Sequence, residues 1–204
     1  MMDILYIIRD VSVKWTTFFK IIRLLNMTTG EAIAKTRQVL EERYANYWSL
    51  APNERMLLAA SVLADDFRVR EEGENNHGEW IEAILGSVRL EEGYPWCAAF
   101  VEFCCDVAKF EQAGLSDRAS AAVNEWYKWA KANGKLVTMP IRGDLCLWIK
   151  DSGNHIGIVS QASGGYVNSI EGNTTPGVTG NQRDGGGVYR RSRQLKSWTH
   201  FIRM

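Results

Sequence analysis

The sequence predicts an α+β fold with helices first and an antiparallel sheet after them. Three observations carry this. Between residues 28 and 132, apolar side chains recur with the 3.6-residue period of amphipathic helices. From Leu145 the period falls to two, with Leu145, Leu147 and Ile149 alternating with Asp144, Cys146 and Trp148. Short strand-like runs then follow one another across Gly- and Asn-containing turns, a succession that favours antiparallel pairing over helical crossovers.

A chain of 204 residues suits one main domain with room for a helical extension, and 46% hydrophobic residues suffice for a core. Lys plus Arg balances Asp plus Glu at 24 each. That balance argues against a nucleic-acid-binding protein, which carries a basic excess.

Residues 1–26 combine the apolar run Ile4–Ile8 with Lys14, Lys20 and Arg23 among Val, Trp, Phe, Ile and Leu. The run is too short for a signal-peptide core or a bilayer span. We expect a helix packed on the body, or a segment upstream of a start at Met27. A basic amphipathic helix at a membrane surface is the alternative. Thr28 and Glu31 form a capping box, so a helix should run from about Glu31 to Trp48, with Ile33, Leu40, Tyr44, Tyr47 and Trp48 as its apolar stripe. Pro52 and Asn53 break it, and a second helix runs from about Glu54 to Asp66. Gly73–Gly78 is a loop, followed by a helix from about Glu79 to Ser87.

The stretch Gly93-Tyr94-Pro95-Trp96-Cys97-Ala98-Ala99-Phe100-Val101 is the centre of the chain's chemistry. Pro95 suits a helix start, and Phe100, Val101, Cys104, Cys105 and Ala108 share one buried helix face. Cys97 then sits in the first turn, where free N–H groups and the positive end of the dipole favour a thiolate, the nucleophilic species. Taken alone, such a cysteine more commonly caps a core helix as a small hydrophobe. Cys104, Cys105 and Cys146 read as reduced structural thiols. No C-x-x-C or H-E-x-x-H spacing marks a metal site, so neither metal nor cofactor is expected.

A further helix spans Ser120 to Ala132, ended by Gly134. Strands follow near Leu145–Ile149, His155–Ser160, Tyr166–Glu171, Val188–Arg193 and Trp198–Arg203, with a Gly- and Thr-rich loop at about Thr174–Gly187. His155 opens a strand, with Gly157 leaving space beside its ring. Ser169, Glu171 and Asn173 share a face of the next strand. One of the latter pair can accept a bond from Nδ1–H of His155, and the other can orient the ring or a substrate oxygen. His77, in a polar loop, is the competing histidine.

These motifs resemble the CHAP family, the cysteine- and histidine-dependent amidohydrolase/peptidases. The resemblance rests on Gly93–Val101, on Gly143-Asp144-Leu145-Cys146-Leu147-Trp148, on His155–Val159 and on Glu171-Gly172-Asn173-Thr174, and covers about residues 57–204. It implies a papain-like fold, with residues 1–53 as a helical extension and 54–204 as the catalytic domain. It implies Cys97 as nucleophile, His155 as base, Glu171 as the group orienting the histidine, and Asn173 as the motif asparagine. Arg142 stands where the family usually has proline. The Asp-rich segment of the calcium-binding members is lacking, so calcium is not carried over. The 58 residues from Cys97 to His155 also suit a compact module better than larger thiol proteases, whose gap is roughly 130–150.

The implied function is cleavage of a peptidoglycan amide in or next to the stem peptide, by a monomer of endolysin type. Without a signal peptide, synthesis would be cytoplasmic and action on the wall would follow release or export. One alternative is an antibacterial effector amidase with an immunity or delivery protein as partner. The other is a catalytically silent wall-binding scaffold.

Overall fold

The computed structural model describes residues 27–151, 153–176 and 185–204. The expected helix within residues 1–26 and most of the Gly- and Thr-rich loop lie outside them.

Helix α1 (Thr29–Arg43) starts as its sequence dictates. Thr28 Oγ1 accepts from the Glu31 N–H, and the Glu31 carboxylate accepts from the Thr28 N–H at 2.8 Å. It stops short of Trp48 because Tyr44 is extended. A 3₁₀ turn, Tyr47–Ser49, then buries Tyr47 and leaves Trp48 outside among Arg37, Arg55 and Lys109. In α2 (Pro52–Asp65), Pro52 occupies the first turn, where its missing N–H goes unneeded, so it opens this helix. Helix α3 spans Glu79–Ser87.

Helix α4 (Cys97–Ala108) is the structural centre: every residue except Asp106 is buried. The helix expected over Ser120–Ala132 is two, α5 (Asp117–Ser120) and α6 (Val123–Ala132), because Ala122 is extended. The Ser120 carbonyl accepts instead from the Trp126 indole N–H at 2.9 Å.

Among the described residues, six strands form one antiparallel sheet in the order β1-β6-β2-β3-β4-β5. They are β1 (Leu136–Val137), β2 (Leu145–Lys150), β3 (Gly153–Ser163), β4 (Tyr166–Thr174), β5 (Gly187–Gln194) and β6 (His200–Ile202). Strand β1 is too short to leave a period in the sequence. One sheet face, with Leu145, Leu147, Ile156, Ile158, Ile170 and Val188, joins the helices in the main core. The other gathers Cys146, Val159, Val167, Trp198 and Phe201. Helices first, then an antiparallel sheet against them, is an α+β fold of papain-like type.

Ala32, Leu40 and Tyr47 are buried in the same core as α2, α3 and α4. Arg142, at the position usually held by proline, forks onto the Glu54 carboxylate with a shortest contact of 2.7 Å, tying the turn before β2 to α2.

Candidate active site

Cys97 is the first residue of α4, and the chain before it is held at several points. The Trp96 indole is wholly buried and its N–H donates to Glu71 at 2.9 Å. The Asn173 carboxamide satisfies both its partners when Oδ1 accepts from the Trp96 backbone N–H at 3.1 Å and Nδ2–H donates to the Gly185 carbonyl at 2.8 Å. Asn173 has a left-handed backbone, φ 50°, a conformation that asparagine tolerates better than most residues. Its neighbour Gly172 lets β4 reach the helix. A Cβ there would lie 2.5 Å from Phe100 Cβ.

His155 is buried on β3, across from Trp148 on β2, with ring centroids 5.1 Å apart. Its Nε2 lies 2.9 Å from Glu171 Oε2, and the helix that begins at Cys97 packs on this strand, which brings the thiol near enough to favour a protonated ring. The carboxylate thus takes Nε2 rather than the expected Nδ1, which leaves Nδ1 as the nitrogen for Cys97. The adjacent strand reaches the far end of the ring.

Glu171 is fully buried and heavily bonded. Ser169 Oγ–H donates to Oε1 at 2.7 Å, and Arg193 donates from Nε at 3.0 Å and from Nη2 at 2.7 Å. Gly157 provides the room, but for the carboxylate arm rather than for the ring: a Cβ there would lie 2.7 Å from Glu171 Cγ.

Electrostatics follow from these contacts. Burial disfavours a charged His155, but the neighbouring Cys97 and the bonded, charged Glu171 outweigh it and raise the imidazole to about 9. Burial likewise disfavours an ionised Glu171. The bonds from His155 and Arg193 prevail and hold it down at about 2. At neutral pH an imidazolium therefore rests on a carboxylate.

The structure brings Cys97, His155 and Glu171 together. Asn173 is placed one step behind, against the backbone before the cysteine. His77 is engaged elsewhere, its Nδ1 3.2 Å from Glu92. Arg193 escaped the sequence reading. Its signal is faint: it shares a face of β5 with Arg191, where alternation alone does not say which arginine is buried. Cys104, Cys105 and Cys146 are free and buried, and burial pushes each thiol well up. Among the described residues, no group of three or more His, Cys, Asp or Glu side chains is arranged to hold a metal ion, and no helix is long and apolar enough to cross a membrane. A thiol at a helix start, beside an imidazole fixed by a carboxylate, is equipped for nucleophilic attack on an acyl carbon.

The family model of the CHAP domain matches residues 89–173, a span that contains Cys97, His155, Glu171 and Asn173. A solved structure described as the crystal structure of Ly7917 is similar at 25% identity and a TM-score of 0.26, over 36% of this chain and 32% of its own. The chain thus spans about a third of that structure's length. No curated protein matches the chain.

Proposed function

The chain carries a CHAP domain over residues 89–173, and on that premise we propose that it is a cysteine-dependent peptidoglycan hydrolase that cleaves an amide in or next to the stem peptide. One relationship carries the reading: Cys97 opens a helix packed on the strand of a buried His155 whose Nε2 is bound by Glu171.

The chemistry follows in order. In the reactive form the proton of the pair rests on His155, and the Cys97 thiolate attacks the amide carbon through Sγ. The backbone N–H of Cys97, at the helix start, is a donor for the developing oxyanion. The C–N bond breaks as His155 hands its proton to the departing amine. Water, deprotonated by His155, then adds to the thioester. The carboxylic acid leaves and the thiol is restored. Glu171 keeps the ring oriented throughout, and Asn173 acts on the loop that presents the cysteine. In this reading the protein acts in an endolysin-like manner, reaching the wall after release or export.

Purified peptidoglycan incubated with the protein should release fragments bearing new amine and carboxyl ends, identified by mass spectrometry. Cys97→Ala and His155→Ala should release none while keeping the circular dichroism of the parent, and His77→Ala should remain active. Fragment release by Cys97→Ala would overturn the reading.

A further inference from the structure

Glu171 carries two cationic partners, and only one of them takes part in proton transfer. The other, Arg193, comes from β5, with its side chain 13% exposed. Its guanidinium lies 4.9 Å from the Trp148 ring and 5.8 Å from that of Trp198. Trp148 in turn lies against His155 with the two rings tilted by 39°. The fork therefore lies beside two aromatic rings and is aimed at both carboxylate oxygens, an arrangement available to arginine and not to lysine.

We propose that Arg193 is a positioning residue that sets the charge balance of the Cys97–His155 pair, acting through Glu171. This rests on reading Cys97 as the nucleophile. Two roles are separable. As a mere structural partner, Arg193 would satisfy a buried carboxylate and its loss would lower stability alone. As a charge-setting group, it offsets an anion in a site of low dielectric, so its loss makes neighbouring acids hold their protons more tightly.

The other charged and titratable groups facing the site do not duplicate it. Arg191 acts on Glu171 from farther off and donates to the Thr175 carbonyl. Lys150 lies over the outer Trp148 ring at 5.4 Å. Cys146, on β2, is a fully buried thiol held neutral by burial and by the Glu171 charge.

The sign is defined. The reactive state of the pair needs one proton to leave the thiol–imidazolium form. Without the Arg193 cation this proton leaves at higher pH, so the acid limb of Cys97 reactivity moves in the alkaline direction. The test is the pH dependence of iodoacetamide alkylation at Cys97, read by mass spectrometry of the intact protein. Arg193→Gln should displace the limb by about one pH unit, roughly tenfold in rate at a fixed pH on the limb. Arg193→Lys, which keeps the charge and loses the fork, should keep the limb and slow peptidoglycan turnover. If Arg193→Gln alkylates with the parent's limb, or an acid-shifted one, the inference fails while the proposed function stands. If Arg193→Gln does not fold, a displaced limb or undiminished turnover in Arg193→Lys overturns it. If Cys97 of the parent protein is not alkylated ahead of the other three cysteines, the nucleophile reading itself fails.

Discussion

His155 Nε2 lies 2.9 Å from Glu171 Oε2, and neither side chain is more than 2% exposed. In so dry a place the two charges depend on each other. Removing Glu171 leaves the imidazolium buried without a counter-charge, which typically costs about 3–5 kcal/mol, whereas Glu171 without His155 still has Arg193. The arrangement is an ion pair only while the imidazole keeps its proton and the carboxylate has lost its own, and both conditions are set by pH.

The first prediction follows from those two titrations. His155 is raised from 6.5 to about 9, so the stability it contributes is full below pH 6.5 and is lost as pH rises through about 9. Glu171 is depressed from 4.5 to about 2, so its contribution is full above pH 4.5 and is lost as pH falls through about 2. The pair should therefore stabilise the fold most between pH 4.5 and 6.5. Urea unfolding from pH 6 to 10 should show a decline centred between 6.5 and 9, flattened in Glu171→Gln. An equal decline in that variant would mean that another group is titrating.

Gly157 tests whether the carboxylate needs its pocket. A methyl group there would stand 2.7 Å from Glu171 Cγ, an atom held by a side chain with bonds on both oxygens. Gly157→Ala should destabilise by about 1–3 kcal/mol, typical of overpacking, and should lower hydrolytic turnover. Gly30→Ala, with open space around its Cβ site in α1, is the control and should be neutral or slightly stabilising. Comparable losses in both variants, in parallel thermal melts, would discount the steric argument.

The legibility of this fold in its sequence varied with the range of the interaction that decided each feature. The capping box at Thr28 and Glu31 and the helix start at Cys97 are local and were readable. So was the face shared by Ser169 and Glu171, which needs only the period of a strand, whereas the left-handed backbone of Asn173 departs from that period. The end of α1 at Arg43, the break at Ala122 and the pairing of β6 between β1 and β2 depend on distant partners and were not. The same holds within the site. The sequence points to His155 beside Glu171, but which ring nitrogen meets the carboxylate depends on how two strands face each other. That Gly157 makes room for Glu171, and that Arg193 closes the carboxylate's other side, are facts of tertiary contact.

Asn173 separates positioning of the cysteine from tolerance of the backbone. Its left-handed φ of 50° suits glycine as well, but only asparagine also supplies the oxygen that accepts from the Trp96 N–H at 3.1 Å. Asn173→Ala should lose both features, with about 1–3 kcal/mol of stability and a large fall in turnover. Asn173→Gly should regain part of the stability and none of the turnover. Recovery of both in the glycine variant would reduce the carboxamide to a backbone role.

Glu102 offers a prediction on the central helix away from the site. It lies one turn beyond Cys97 on α4, is 9% exposed, and its Oε2 is buried without a hydrogen-bond partner. Burial, reinforced by the Asp106 charge and eased by the nearby Ser120 hydroxyl, pushes its carboxyl up to about 7. An acid raised in the folded state holds a proton that the unfolded chain has already lost. The fold therefore weakens as pH rises from 4.5, with the full penalty in place above about 7. That span corresponds to about 3 kcal/mol. Glu102→Gln keeps the shape and cannot ionise, so it should match the parent near pH 4.5 and exceed it at pH 8 by about 3 kcal/mol, roughly 9 °C in Tm for a chain of this size. Asp106, raised to about 6 chiefly by burial, adds a residual slope of the same sign in both proteins. Thermal melts of the two proteins at pH 5 and pH 8 decide the matter, and a constant difference in Tm between them would remove the buried charge as its cause.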